Sequence, residues 1–436
     1  MILCPTYKDK HVAIFGLGKS GRAAYVSLEK SGAYVVAWDD KAYNAEHLTL
    51  IPYQQWDWEK LDAVILSPGI PLTHPTPHEV VILAKKHRVR ITCDISLLME
   101  AQAVATYIGI TGTNGKSTTT ALIAHCLQSL GATVQCGGNI GTAALSMQPL
   151  GSGDYYVIEL SSYQLDLMDT GAINIACLLN ITPDHLDRHG GLAGYIAAKE
   201  RIFARQSDDD KAIVAIDDNY TYDIAKRYNT ITVSTTKTAD YYTEKHILCD
   251  MRTENEFALQ NLPHLQGTHN YQNALIAYAA CHQCGFKPED IFDAMRSFSG
   301  LEHRMEWVRT IGDVRFINDS KATNAEAAAQ SLATYCNIHW ICGGVAKEGG
   351  IETLRSLFDH VIHAYLIGQC ADNFSHSLGN VPHSQYDTLD AAVTAAYERA
   401  EGTNNVILLA PAAASFDMFP NFEVRGDMFK KMVNSL

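Results

Sequence analysis

One glycine-spaced turn constrains this chain more than any other stretch. Ala105 to Ile110 is a β-rich run, and Gly112-Thr113-Asn114-Gly115-Lys116-Ser117-Thr118 follows it. Apolar residues then recur with helical spacing at Leu122, Ile123, Cys126, Leu127 and Leu130, up to a capping Gly131. Strand, glycine turn, Lys-Ser and helix form the layout of a phosphate-binding loop. Glycines let backbone N–H groups converge on an anion, and the helix start adds a partial positive charge of roughly half a unit. In that layout Lys116 reaches the outer phosphates and the Ser117 hydroxyl faces Mg²⁺. The pattern departs from its usual form at Ile110, where a glycine is customary. A chance turn before a helix is the bland reading, and the fit of both flanking elements tells against it.

Upstream, His11 to Phe15 reads as a buried strand. Gly16-Leu17-Gly18-Lys19-Ser20-Gly21 and a helix to about Lys30 follow, and a second strand, Tyr34 to Trp38, ends at Asp39-Asp40-Lys41. A GxGxxG with an acidic residue this far on suggests dinucleotide binding. A site for a different nucleotide is preferred, because a phosphate loop already lies downstream; a turn kept only for tight packing is the structural alternative. A third strand, Ala63 to Leu66, brings Ser67-Pro68-Gly69-Ile70 to the same carboxyl edge, where ligands bind in such sheets. Trp56 and Trp58 read as loop residues that pack.

Downstream, Cys136 to Gly141 is a flexible loop carrying Asn139. Tyr155 to Ile158 reads as a strand delivering Glu159 beside the phosphate loop, where a carboxylate can hold Mg²⁺. The strand Ile173 to Asn180 leads to Thr182-Pro183-Asp184-His185, whose histidine is a metal or phosphate-side candidate. Tyr195 to Phe203 reads as a helix on which Lys199, taken alone, is a surface lysine, and Lys211 to Ile216 as a strand. Asn270, near the start of a long helix, reads as its cap. From Val314 onward strand and loop alternate: 314–318 leads to Asp319-Ser320-Lys321, 338–342 to a glycine loop with Lys347, 361–367 to Gly368, and 406–410 to Ser415-Phe416. A helix, 325–334, follows the first of these. The fold class is therefore α/β in three domains, each a mostly parallel sheet with flanking helices. Residues 1–93 form a Rossmann-like domain, 94–300 a P-loop ATPase-like domain and 301–436 a second Rossmann-like domain.

Composition limits the partners. Of 436 residues 19% are charged and the net charge is −14, which argues against nucleic acid and requires any anionic substrate to be met by local Lys and Arg. The start, Met1-Ile2-Leu3-Cys4-Pro5, is too short for a signal-peptide core, and no run approaches a membrane span. The eleven cysteines are scattered, so reduced thiols and a cytoplasmic protein without a membrane partner are expected. Cys281 and Cys284 form a CxxC in an alanine-rich helical stretch and read as packing.

Seven stretches in order resemble the Mur ligases, the ATP-dependent amino-acid-adding enzymes of peptidoglycan synthesis. They are 111–118, 159–165, 182–187, 267–270, 302–304, 318–324 and the Ser415 to Phe422 segment. The Asp-Asn-Pro-Arg motif of the diamino-acid-adding members is absent, and the pattern is most similar to that of the D-glutamate-adding members. Two departures stand out: Lys347 lies in Val-Ala-Lys-Glu-Gly-Gly rather than Asp-Lys-Gly, and Phe416 replaces a leucine.

The resemblance implies ATP, UDP-N-acetylmuramoyl-L-alanine and D-glutamate as small-molecule substrates, and a monomer. It implies that the first domain binds UDP through Gly18, Lys19, Ser20, Asp39, Asp40, Lys41 and Ser67 to Ile70, with Asn139 contributing. ATP would lie on Gly112 to Thr118, Asn270, Arg304 and Asp319. Two Mg²⁺ ions would be held by Ser117, Glu159, His185 and a carbamylated Lys199. Lys116, His185, Lys199, His303, Arg304 and Lys321 would be catalytic, with the task of His303 open. Thr323, Lys347, Ser415, Phe416 and Phe422 would hold D-glutamate.

The implied chemistry follows from charge. A carboxylate is a poor electrophile until phosphorylation gives it a leaving group. Bringing three anions together costs several kcal/mol at an effective dielectric of ~20, so cations must converge there. An acyl phosphate needs shelter from water, and the third domain is expected to close over the others. The competing readings are a ligase adding another amino acid such as L-alanine, a folylpolyglutamate synthase, a nucleotide-driven switch, and an NAD-dependent dehydrogenase.

Overall fold

Short apolar runs that end in glycine or polar turns become parallel strands whose carboxyl ends carry the loops. The structure is a computed structural model and describes all residues except 42–47, 263, 266, 348 and 403. It contains three sheets. The first is wholly parallel, in the order Tyr34–Trp38, His11–Phe15, Ala63–Leu66, Arg90–Thr92. The second has nine strands. Thr106–Thr111, third from one edge, delivers the phosphate loop and lies between Tyr155–Glu159 and Ile175–Leu178. The third has six strands, with Val406–Leu409 between Val314–Asn318 and Ile338–Gly343.

Several elements carry no strong apolar run and escape a reading of the sequence. The nine-stranded sheet ends in Tyr241–Glu244, Ile247–Asp250 and Asn255–Ala258, the last two antiparallel to their neighbours. These edge strands are short and half polar, so alternation rather than hydrophobicity is their signal. Glu306–Ile311 pairs antiparallel with Val314–Asn318 and finishes the third sheet. The expected helix at 195–203 runs Leu192–Glu200 and tightens into a 3₁₀ turn at Arg201–Phe203. Trp56 and Trp58 are buried packing residues, as expected. Among the described residues, no helix is long and apolar enough to cross a membrane.

The chain divides into two compact units, Met1–Leu262 with Asn270–Phe298, and Pro263–His269 with Ser299–Leu436. The first unit holds the first two sheets, and a continuous apolar core joins Phe15 and Leu66 to Tyr156 and Leu178. In the second unit the six-stranded sheet separates two cores. Trp340 and Leu408 face one, while Ile341 and Leu409 face the other, the period of two that a strand imposes.

A polar joint ties the first two sheets together. Arg90, on the last strand of the first sheet, donates from Nε to Asp169 Oδ2 at 2.6 Å and from NH1 to the Tyr7 hydroxyl at 2.9 Å, and it pairs with Glu100. Thr92 donates to the other Asp169 oxygen at 2.5 Å. Burial alone would raise the Asp169 pKa, but the Arg90 and Thr92 bonds outweigh it and hold the carboxyl below its ordinary value. A depressed carboxylate pKa stabilises the fold above the unfolded value and loses that contribution as pH falls through the folded one. Asp169→Asn should therefore cost about 1–2 kcal/mol at pH 7 in urea unfolding, and the difference should shrink below about pH 4. A variant as stable as wild type at pH 7 would remove the joint from the account.

Candidate active site

The phosphate loop is shaped by what lies behind it. Gly115 has φ +83° and begins the helix Lys116–Ser129. A Cβ there would collide with the Asn273 carboxamide, so only glycine permits both the left-handed backbone and the approach. Asn273 is fixed in turn by Thr119, which donates to its Oδ1 at 3.1 Å. Asn180 braces the other side: its Oδ1 accepts from the Asn114 backbone at 2.8 Å. The Thr113 hydroxyl lies 3.1 Å from the Tyr195 hydroxyl. Thr118 is on the first turn of the helix, and Ser117 is buried beneath the loop.

Two lysines converge on this loop. Lys116 Nζ donates to the carbonyls of Gly112 at 2.8 Å and Thr113 at 2.7 Å, while Lys199 Nζ donates to the same Gly112 carbonyl at 2.6 Å. Lys199 is 1% exposed, which overturns its reading as a surface lysine. Burial, with the Lys116 charge beside it, pushes its amine well below the ordinary lysine pKa, so the neutral form is favoured.

Glu159 ends the strand Tyr155–Glu159, next to the one that delivers the loop, and is 1% exposed. Its Oε1 accepts from Asn139 Nδ2 at 2.7 Å, and its Oε2 is buried without a partner. A buried carboxylate oxygen left open is costly unless a cation or donor occupies it. This open oxygen and the Ser117 hydroxyl are oxygen donors of the kind Mg²⁺ takes with nucleotide phosphates, so these two residues fit that ion; the His185 imidazole is the one nitrogen donor of the expected set. Asn139, expected on the UDP substrate, is engaged with Glu159 by its side-chain nitrogen. His185 has φ +51°, and its ring lies 5.1 Å from that of Tyr163. Burial lowers its pKa and favours the neutral imidazole that binds metals.

The loops of the first sheet meet as the sequence suggested. Gly18 precedes the helix Lys19–Lys30, and Ser20 lies in its first turn. Gly16 has φ +92°, and a Cβ on it would meet Ser67 Cβ at 2.6 Å. Ser67 donates to the Gly16 carbonyl at 2.7 Å, and the turn Ser67-Pro68-Gly69-Ile70 closes with an Ile70 N–H bond to Ser67. Asp39 accepts from the backbone of Leu17 at 2.6 Å and Lys41 at 2.9 Å, so it organises the glycine turn. Asp40 pairs with His78 at 2.9 Å. Lys19 reaches across to the Gly141 carbonyl on the second sheet's loop.

In the long helix Thr268–Gln283, Asn270 is the third residue and accepts from Asn273 Nδ2 at 3.2 Å. The cap reading of Asn270 is therefore corrected: both asparagines lie on one buried face, three residues apart. That spacing was the signal for Asn273 that the sequence reading left unused. Among the described residues no group of three or more His, Cys, Asp or Glu is placed to hold a metal, and Cys281 is buried in helix packing.

The second unit gathers most of its predicted residues around Asp319. Burial raises its carboxyl to about 6, against a Met305 backbone N–H at 3.2 Å. Arg304 directly precedes Met305. Lys321 Nζ stands 4.9 Å from the centre of the Phe422 ring, and Phe422 meets His303 edge-on at 6.1 Å. His303 is 5% exposed, with Nδ1 3.1 Å from Asn318 Nδ2 and its carbonyl accepting from the Lys321 N–H at 3.0 Å. It therefore braces the Asp319–Lys321 turn. Thr323 is half-buried in the same turn, and Ser415 is buried with its carbonyl accepting from Met418 and Phe419. Lys347 is exposed on its glycine loop, and Phe416 is 75% exposed.

Known proteins resemble this chain along its whole length. The Mur ligase middle domain family matches residues 110–281, which contain the phosphate loop, Glu159, His185 and Lys199. The UDP-N-acetylmuramoylalanine–D-glutamate ligase of Caulobacter vibrioides is 44% identical, covering 100% of this chain and 98% of that protein. The enzyme of the same name from Brucella abortus is also 44% identical with the same coverage. Among solved structures, UDP-N-acetylmuramate-alanine ligase MurC of Thermotoga maritima aligns with a TM-score of 0.62 at 18% identity, over 98% of this chain and 99% of that one. MurF of Acinetobacter baumannii gives 0.62 at 18%, over 99% and 93%. At such identities the structures speak for the fold alone, whereas full-length identity at 44% speaks for descent: the chain belongs to the Mur ligase family.

Proposed function

We propose that this protein is an ATP-dependent amide ligase that adds D-glutamate to UDP-N-acetylmuramoyl-L-alanine through an acyl phosphate, as a step of peptidoglycan precursor synthesis in the cytoplasm. The observation that carries the substrate choice is 44% identity along the whole chain to ligases of that name. The chemistry is supported by the phosphate loop, with Lys116 at its head and Glu159 at its side.

Each residue group has a task in this reading. The loop Gly112 to Thr118 binds the ATP phosphates with backbone N–H groups, and Lys116 meets the charge that develops during transfer. The loops at Gly18 to Ser20, Asp39 to Lys41 and Ser67 to Ile70 seat the UDP end of the acceptor. Arg304, Lys321 and Lys347 supply positive charge for the acceptor carboxylate, the phosphoryl group and D-glutamate, on a protein whose net charge is −14. The γ-phosphoryl group passes to the alanine carboxylate and the D-glutamate amine displaces phosphate. Thr323, Ser415 and Phe422 orient that amino acid, and His303 holds the Asp319 turn. Mg²⁺, held by Ser117, Glu159, His185 and a modified Lys199, would neutralise phosphate charge when bound.

The state of Lys199 supports its modification. A neutral amine attacks CO₂; an N–C bond forms as a C=O π bond opens, a proton leaves the nitrogen, and the neutral amine becomes an anionic carbamate. The carbamate would set an opposite charge beside Lys116 and add a second carboxylate-like donor to Glu159, in keeping with two ions.

The decisive assay is mass detection of product from ATP, UDP-N-acetylmuramoyl-L-alanine and D-glutamate. The expected outcome is one new amide per ADP; ADP formed with no amide, or with L-alanine preferred, would defeat the reading. Lys199→Ala should lower turnover at least about 100-fold and recover in part with short carboxylic acids, while wild type in ¹³CO₂ should show a carbamate carbon signal that the variant lacks. A fully active variant would exclude the carbamate.

A further inference from the structure

Arg188 belongs to none of the groups assigned above, yet it joins the acceptor loop to the turn that carries His185. Its NH1 donates to the Gly69 carbonyl at 3.0 Å, across 119 residues of chain. Its guanidinium carbon stands 4.7 Å from the centre of the Tyr163 ring. Its Nε is buried without a hydrogen-bond partner.

The plate under Arg188 is itself fixed. Tyr163 stacks on His189 with centroids 5.3 Å apart and planes 11° apart. His189 is held at both nitrogens, by Asp166 Oδ2 at 3.1 Å from Nδ1 and by Ser162 Oγ at 2.9 Å from Nε2. The same Tyr163 ring meets His185. One aromatic side chain thus sets both the imidazole at the phosphate end and the guanidinium that grips the acceptor loop. The two loops also press together nearby, since a Cβ on Gly190 would lie 2.6 Å from His74 Nε2.

We propose that Arg188 is a positioning residue for the acceptor: through the Gly69 carbonyl and the Tyr163 ring it sets the Ser67–Ile70 loop at a fixed distance from His185 and Glu159. This rests on the acceptor assignment made above. The role needs a flat, forked cation, because a lysine ammonium can neither stack nor hold a carbonyl in that fixed orientation. A small misplacement between a substrate's seat and the reacting groups is enough to lower productive binding severely.

The test uses the full chain as wild type, Arg188→Lys and Arg188→Ala. Calorimetric binding of UDP-N-acetylmuramoyl-L-alanine without ATP, the KM for each substrate, and the melting temperature are measured together. The expected result is acceptor Kd and KM raised about tenfold or more in both variants, with the KM for ATP and for D-glutamate within about twofold of wild type. Arg188→Lys keeps the charge and most of the side-chain volume, so it tests the role even where Arg188→Ala loses stability. Wild-type acceptor affinity in Arg188→Lys, or equal weakening toward all three substrates, would overturn the proposal. Wild-type protein that fails to bind the acceptor would instead defeat the acceptor assignment, so the two failures are told apart.

Discussion

Two lysine ammonium groups cannot comfortably share one backbone carbonyl in a dry pocket. Unit charges ~4 Å apart repel by about 4 kcal/mol at an effective dielectric of ~20. Lys116 and Lys199 nevertheless both donate to the Gly112 carbonyl, and Lys199 is almost wholly buried. The site can relieve this in two ways, by anionic phosphate arriving at Lys116 or by loss of the proton from Lys199. Burial and the Lys116 charge push the Lys199 pKa down, in the direction of the second route. The glycine turn, the open oxygen of Glu159 and the braced His185 are arranged around that imbalance of charge.

Much of this was legible beforehand because a parallel sheet writes its function at strand ends. Buried strands of such sheets read as apolar runs, and the residue after each run falls on the edge where ligands bind. Glu159, Asp319 and the Ser67 turn are found that way. What stayed hidden depends on tertiary contact. Lys199 on a helix has the sequence of a surface lysine, and only the loop above it makes it a buried amine. Cys136 to Gly141 reads as a flexible loop, yet Val134–Gly138 is a strand, and the bond of Asn139 to Glu159 appears only when that strand lies beside Tyr155–Glu159. Arg188 is one of several charged residues in a polar turn, and nothing in its neighbours announces Gly69.

Edge strands were unreadable for a different reason. Residues 241–258 add three strands to the nine-stranded sheet with only partial burial, so the apolar signal that locates core strands is weak there. The site is indifferent to this loss, because those strands lie at the far end of the sheet from the loop after Thr111.

The Asn139 amide has a consequence for ion binding. It donates to one oxygen of Glu159 and leaves the other as the fully open one. Small divalent ions with strict six-fold geometry take a one-point carboxylate ligand readily, whereas calcium's larger, more flexible shell takes carboxylates through one oxygen or both. A neutral side chain on a neighbouring loop thereby sets which carboxylate oxygen meets a metal it never touches itself.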